Sequence, residues 1–250
     1  RDVVRFPDLD DYDWESEAER QKANYDPVNQ ILEYHSWNSQ FLRVTHLMGF
    51  ENGLCAFAEE PEACRDLMEA ITDYKIRLIE RAAHYFKPDS FVNYDDVATS
   101  RNLYLSRKTY QELVKPCHKR MNDAAKAYGM IPQQHCCGYC EDLIEDFIDE
   151  GSVAWQSAQP CNDICRIIET YGDRMTVIGG YDTQGIAGMH IAAEEQIRGE
   201  VTRCMKEYGK YGKHYIFQAF LMGEKSDPTL PVRNKIMREE SLRQSMTVWK

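Results

Sequence analysis

The run His135-Cys136-Cys137-Gly138-Tyr139-Cys140 sets one imidazole and three thiols within six residues. It closes an extended-looking stretch, and along a strand the side chains at i and i+2 share a face. His135 and Cys137 therefore point the same way, and Cys136 points the other way. An imidazole nitrogen beside a thiolate sulfur suits zinc, a borderline-soft cation. A catalytic zinc takes three protein ligands and keeps a fourth position open, so a third ligand has to come from another strand. Gly138 lets the backbone turn closely behind the pair. Two other readings stay open at this point. Cys137 and Cys140 have the C-x-x-C spacing of a redox pair, and a His and a Cys can also pack together with no metal.

Further chemistry-bearing residues cluster where strand-like runs stop. Tyr94, Asp95 and Asp96 close one run, Gln156 and Gln159 another, Tyr181 and Asp182 a third, and Gln218 a fourth. Asp95, Asp96 and Asp182 are candidates to orient a substrate or move a proton, although carboxylates at such places also cap helices. The amides of Gln156, Gln159 and Gln218 suit hydrogen bonds to a substrate or to their own loops. Tyr94, Trp155 and Tyr181 are candidate walls of an aromatic pocket. Asp95, Asp96, Gln218 and His214 are the candidates for the missing metal ligand.

These residues need a scaffold that brings many strand ends together. Strand-like runs at 41–48, 91–94, 130–136, 152–157, 175–178 and 214–220 alternate with helical patterns at 61–86, 107–128, 140–150, 162–171, 190–208 and 232–248. Strict alternation implies a parallel sheet with right-handed crossovers. The Gly179-Gly180 and Gly185-Ile186-Ala187-Gly188 stretches lack the fingerprint of a doubly wound nucleotide binder. Polar residues at the carboxyl ends of many strands instead fit a (β/α)8 TIM barrel. Six units do not close eight strands. With an opening, Arg1 to Pro7, that reads as a chain already under way, the expectation is one barrel domain over 1–250 whose first two units, on the order of 60 residues, precede Arg1.

Composition narrows the partners. A net charge of −11 and the lack of a basic stripe argue against nucleic acid. No apolar run approaches the roughly 18 residues of a membrane span, and no signal stretch opens the chain. Nine cysteines without a secretion signal fit the reducing cytoplasm, where crowded thiols point to metal or thiol chemistry. Cys55, Cys64, Cys117 and Cys204 stand singly in helical patterns and read as small hydrophobes. The acidic runs at 8–19 and 141–150 read as solvated faces.

Taken in order, several stretches resemble the uroporphyrinogen decarboxylase superfamily. They are Asn93-Tyr94-Asp95-Asp96, the helix from Tyr110 to Pro116, His135-Cys136-Cys137-Gly138, Asp142-Leu143-Ile144, Glu150-Gly151-Ser152-Val153, Gly172-Asp173-Arg174-Met175 and Gly179-Gly180-Tyr181-Asp182. The resemblance runs from about residue 85 onward, and it lies in the order and spacing of motifs that are individually weak. Its decarboxylase branch works on a tetrapyrrole without metal. Its methyltransferase branch carries His-x-Cys, uses zinc and exchanges methyl groups with the cobalt of a corrinoid protein. His135-x-Cys137 places the chain nearer the second branch. The resemblance thus implies zinc held by His135 and Cys137, a corrinoid protein as partner, and a methyl ether or similar small donor, with a homodimer as a possible assembly. Thiol-methylating members take a third ligand, a Cys, from the last strand end, where this chain has Phe220. That departure leaves open a barrel that docks a corrinoid protein without a metal, beside the tetrapyrrole decarboxylase reading.

Overall fold

The computed structural model describes residues 4–224 and 226–248; Arg1 to Val3 of the opening run lie outside the described residues. Helices and strands follow in the order α1 (Trp14–Lys22), β1 (Glu33–Ser36), α2 (Gln40–Met48), α3 (Phe50–Glu59), α4 (Pro61–Tyr85), β2 (Ser90–Tyr94), α5 (Arg107–Thr109), α6 (Lys115–Ala127), β3 (Ile131–His135), α7 (Ile144–Asp149), β4 (Ala154–Ala158), α8 (Ile164–Tyr171), β5 (Thr176–Gly180), α9 (Glu194–Glu207), β6 (Tyr215–Gln218) and α10 (Leu230–Val248). The six strands form one sheet in chain order, and every pair is parallel. This is the expected barrel architecture, but the sheet is not closed, and β1 and β6 are its edges among the described residues.

One face of the sheet carries the helices. Phe91, Asn93, Gln134, Trp155 and Val177 point into that layer and are fully buried. The opposite face, the inside of a barrel, carries Glu33, Ser90, Gln133, His135 and Gln156. The register aligns Tyr94, His135, Gln156, Ile178 and Ile216 across five strands. The carboxyl ends of β2, β3 and β4 therefore lie side by side.

The first strand is not where the sequence places it. Residues 41–48 belong to helix α2, and β1 is the polar stretch Glu33-Tyr34-His35-Ser36. Phe41, Val44 and Thr45 are buried on one side of α2, the i, i+3, i+4 spacing of a helix, while His46, Leu47 and Met48 are exposed. The amino end of α2 is capped from afar. Asp95, at the end of β2, accepts from the Phe41 N–H at 3.0 Å and the Leu42 N–H at 2.8 Å. Such a cap satisfies two of the helix's orphan donors and adds a negative charge at its positive end. It is invisible to any local reading of the sequence.

The same carboxylate enters a buried polar network. His118 of α6 lies fully buried, with Nε2 2.8 Å from Asp95 Oδ2 and Nδ1 3.5 Å from Glu150 Oε2. The Tyr110 hydroxyl donates to Glu150 and contacts His118 Nδ1 at 3.2 Å. Tyr110 reaches this place because α5 runs into a π-helical turn, Tyr110–Val114, before α6. Pro116 has no amide hydrogen for the i−4 ladder, and the Lys115 N–H bonds instead to the Tyr110 carbonyl.

Burial opposes charge on His118, but the Glu150 carboxylate and the bond to Asp95 outweigh it and raise the imidazole to about 9. Its value in the unfolded chain stays near 6.5. The stabilisation is thus complete below about pH 6.5 and is lost as the pH climbs through about 9. His118→Gln should cost on the order of 2 kcal/mol at mildly acid pH. It should also abolish the alkaline decline of the urea midpoint expected of the wild type; an unchanged decline would assign it to other groups.

Candidate functional site

The site grows from two neighbouring strand ends. Beyond Tyr94 of β2 the chain continues as Asp95-Asp96, and alternation sends the two carboxylates to opposite faces. Asp95 turns into the helical layer, and Asp96 faces the mouth with 39% of its side chain exposed. Beyond β3 the same alternation separates Cys136, fully buried on the helix side, from Cys137. The Cys137 N–H donates to Asp96 Oδ1 at 2.7 Å, tying the two ends together.

Three donor atoms converge here. Cys137 Sγ lies 3.5 Å from His135 Nε2. His135 Nε2 lies 4.0 Å from Asp96 Oδ1. All three donor atoms fall within 4.8 Å of one another. Zinc bonds of about 2.0–2.1 Å to nitrogen and 2.3 Å to sulfur at tetrahedral angles demand an N···S separation of roughly 3.5 Å, so the His–Cys pair already has the required spacing. Asp96 needs a small inward shift. The donor set of one imidazole, one thiol and one carboxylate fits zinc, and three protein donors would leave it a further position free.

The electrostatics fit the same occupant. Burial, then the Asp96 carboxylate, pushes the Cys137 thiol up to about 12. Burial likewise holds the His135 imidazole below its ordinary value. Without a cation the thiol and the imidazole both stay neutral, so zinc binding at this site would release the thiol proton.

Rings wall one side. His135 stacks on Tyr94 with centroids 4.0 Å apart and planes at 22°. Tyr94 in turn stacks on Trp37 at 4.0 Å and 29°. Trp37 follows β1 and is 58% exposed. Its backbone carbonyl accepts from Lys75 Nζ at 2.9 Å, and the same amine donates to Ser36 Oγ. Burial, then the charge of Arg43, brings that amine down to about 8.

The other expected residues fall in several places. Gln156, fully buried, presents Oε1 3.3 Å from His135 Nδ1. Gln159 Oε1 accepts from the Gly138 N–H at 2.9 Å and so holds the loop. Asp182 Oδ1 accepts from the N–H groups of Gln184 and Gly185, shaping its own turn. Tyr181 is buried, its hydroxyl donating to the Ala187 carbonyl. Trp155 points into the helical layer and donates to the Cys136 carbonyl, so it does not wall the mouth. Gln218 is exposed at the end of β6, paired with Gly180. His214 is held by the Gly172 carbonyl at the amino end of that strand. Cys140 is buried, turning its thiol onto the carbonyls of Cys136, Cys137 and Gly138, whereas Cys137 faces the mouth. Phe220, where the resemblance sought a third ligand, is 70% exposed beyond β6. The third candidate donor beside His135 and Cys137 is Asp96, just beyond β2.

Glu33, His35, Trp37 and Gln133 also belong to the site and were not read from the sequence. Gln133 was within reach, since it stands at i−2 from His135 and must share its face. The others precede the stretch wrongly read as the first strand.

An open parallel sheet of the (β/α)-barrel type, with a His, Cys and Asp donor set at its strand mouths, defines the class of protein. A family model described as Uroporphyrinogen decarboxylase (URO-D) matches residues 39–219, and the chain belongs to that family. Among solved structures, a methyltransferase from Methanosarcina mazei is similar, with a TM-score of 0.71 at 13% identity over 92% of this chain. The chain spans 63% of that protein's length. No match is found among curated protein sequences. Among the described residues no helix is long and apolar enough to cross a membrane.

The loop behind the pair tests the geometry. Gly138 has φ of +96°, and a Cβ there would meet the Thr99 carbonyl oxygen at 2.5 Å. Gly129 has φ of +79° with nothing within 4 Å. Gly138→Ala should therefore cost about 2–4 kcal/mol in urea unfolding, and Gly129→Ala only about 1 kcal/mol, the difference isolating the clash from the backbone strain. Equal costs would show that the 138 loop can relax.

Proposed function

We propose that this protein is a methyltransferase that passes a methyl group between a small methylated donor, such as a methyl ether, and the cobalt of a corrinoid held by a partner protein. The observation that carries the reading is the convergence of His135 Nε2, Cys137 Sγ and Asp96 Oδ1 at the strand mouth. Membership of the URO-D family and the likeness to a methyltransferase fold support it. His135, Cys137 and Asp96 would hold zinc, which when bound supplies Lewis acidity to the donor's heteroatom.

The chain's own residues do the rest. Asp96 keeps the Cys137 backbone in place through the N–H bond and sets the third corner of the site. Tyr94 is sandwiched between His135 and Trp37, so the stack would offer the donor its ring edges and the exposed Trp37, an apolar side that excludes water. The methyl–heteroatom bond would break with its electrons left on the heteroatom as the methyl bonds to the reduced corrinoid's cobalt, and the departing heteroatom's negative charge would be met by the zinc or by a proton from water. The mouth stays open, as a macromolecular acceptor requires. Asp182 and Gln159 line a cleft beside the Gly138 loop and would meet the donor's far end, with Gln218 at the end of β6 a further candidate. Asp95 has both oxygens engaged in the fold, and its part is to position Asp96.

A second reading, a decarboxylase acting on a tetrapyrrole, follows from the description of the matching family. It gives the soft donor set no work.

Metal analysis of the purified protein should find one zinc per chain. His135→Ala, Cys137→Ser and Asp96→Ala should each lose most of it, together with 100-fold or more of methyl transfer to a reduced corrinoid protein. Methyl transfer that survives the first two substitutions would overturn the zinc reading, and carbon dioxide release from uroporphyrinogen would establish the second.

A further inference from the structure

We propose that Glu33, Ser90, Gln133 and Gln156 form a directional hydrogen-bond relay that fixes the tautomer of His135, so that Nε2 carries the free lone pair facing Cys137 and Asp96. The relay crosses β1, β2, β3 and β4 on the inner face of the sheet. It deepens the zinc reading and rests on it for its purpose, but its chemistry can be read without zinc.

An amide in a buried chain can face either way, and the ends of the chain decide. The Glu33 carboxylate only accepts when ionised. Its bond to His35 Nε2, at 3.1 Å, keeps its pKa low despite partial burial. Gln133 Nε2 lies 2.8 Å from Glu33 Oε1 and 2.5 Å from Ser90 Oγ. Ser90 has spent its one hydrogen on the Ile131 carbonyl at 2.9 Å, so toward Gln133 it too only accepts. Two acceptors thus hold the NH2 of Gln133, and its oxygen must face the other way.

That oxygen accepts from Gln156 Nε2 at 2.8 Å. Gln156 Oε1 is thereby turned to His135 Nδ1 at 3.3 Å. An amide oxygen cannot donate, so the proton sits on Nδ1 and Nε2 is unprotonated. Nε2 is the nitrogen 3.5 Å from Cys137 Sγ and 4.0 Å from Asp96 Oδ1. Tyr94, stacked on the ring, holds its plane. Without the relay, the nearby Asp96 carboxylate would favour the opposite tautomer, with the proton on Nε2 and the ligand position blocked. Partners of this kind on the non-ligating nitrogen commonly set the tautomer of metal-binding histidines.

Long-range 1H–15N spectra of the metal-free protein at mildly alkaline pH, with His135 assigned by its loss in His135→Gln, report the tautomer directly. The wild type should show the Nδ1–H form. Gln156→Leu removes the acceptor, and the double variant Glu33→Gln/Ser90→Ala leaves no group that only accepts at the far end of the chain; both should shift His135 toward Nε2–H and weaken zinc binding about 10- to 100-fold. Gln156→Glu, which can still accept from Nδ1–H, should restore the wild-type tautomer and affinity. Glu33→Gln/Ser90→Ala, which removes no apolar side chain from the core, carries the test if Gln156→Leu does not fold.

An Nε2–H wild type, or a tautomer unchanged in Glu33→Gln/Ser90→Ala and in any folded Gln156→Leu, would overturn the relay. Zinc still bound by the wild type in that case would leave the zinc reading standing. The expected tautomer with no zinc uptake would do the reverse, sinking the zinc reading while the relay stands.

Discussion

The Asp95 carboxylate is the joint on which the site depends. It is wholly out of water, and every bond it makes is to a different part of the fold: two backbone N–H groups at the start of α2, and His118 of α6. Its own N–H continues the sheet by donating to the His135 carbonyl. A buried carboxylate left unpaired would be costly, and a charged imidazole with two amide donors compensates it. With Asp95 pinned on the helical side, the residue after it has to emerge on the other. Asp96 therefore reaches the mouth at the height of Cys137.

Strand alternation repeats that sorting along the neighbouring strands. It buries Cys136 against the helices and frees Cys137, and it lines the inner face with Glu33, Gln133, His135 and Gln156. A barrel interior is more often filled with branched apolar residues. Here a chain of amides runs through it and ends on the imidazole. Polar groups so placed must all find partners, and the relay finds them by running in one direction. The constraint that satisfies the interior is the one that sets the chemistry of His135.

Much of this was legible from the residues alone. Five of the six strands and the later helices lie close to the stretches where alternation and helical spacing place them, because those segments carry their own pattern. The first unit misled for a physical reason. Residues 41–48 are apolar enough to pass for a strand, and the cap that makes them a helix is Asp95, more than fifty residues away. The true β1 is short and polar and is held by its pairing with β2, so it had no local signal to show. The two carboxylates at 95 and 96 looked equivalent in the sequence, and only the sheet's two faces separate them.

By itself the sequence determined the pair His135 and Cys137. Strand geometry makes i and i+2 neighbours, and an imidazole beside a thiol is a donor pair of the kind zinc takes. It also determined the alternating parallel architecture, since the periodicities are local. The tertiary structure decided the third donor, Asp96 from β2 rather than a residue at the last strand. It also decided the wall of Trp37 and Tyr94, and the direction of the amides behind His135. Each of these is a contact between strands far apart in the chain. Which residues meet across a sheet is set by register, and register is fixed only when the helices, the caps and the buried charges are packed together.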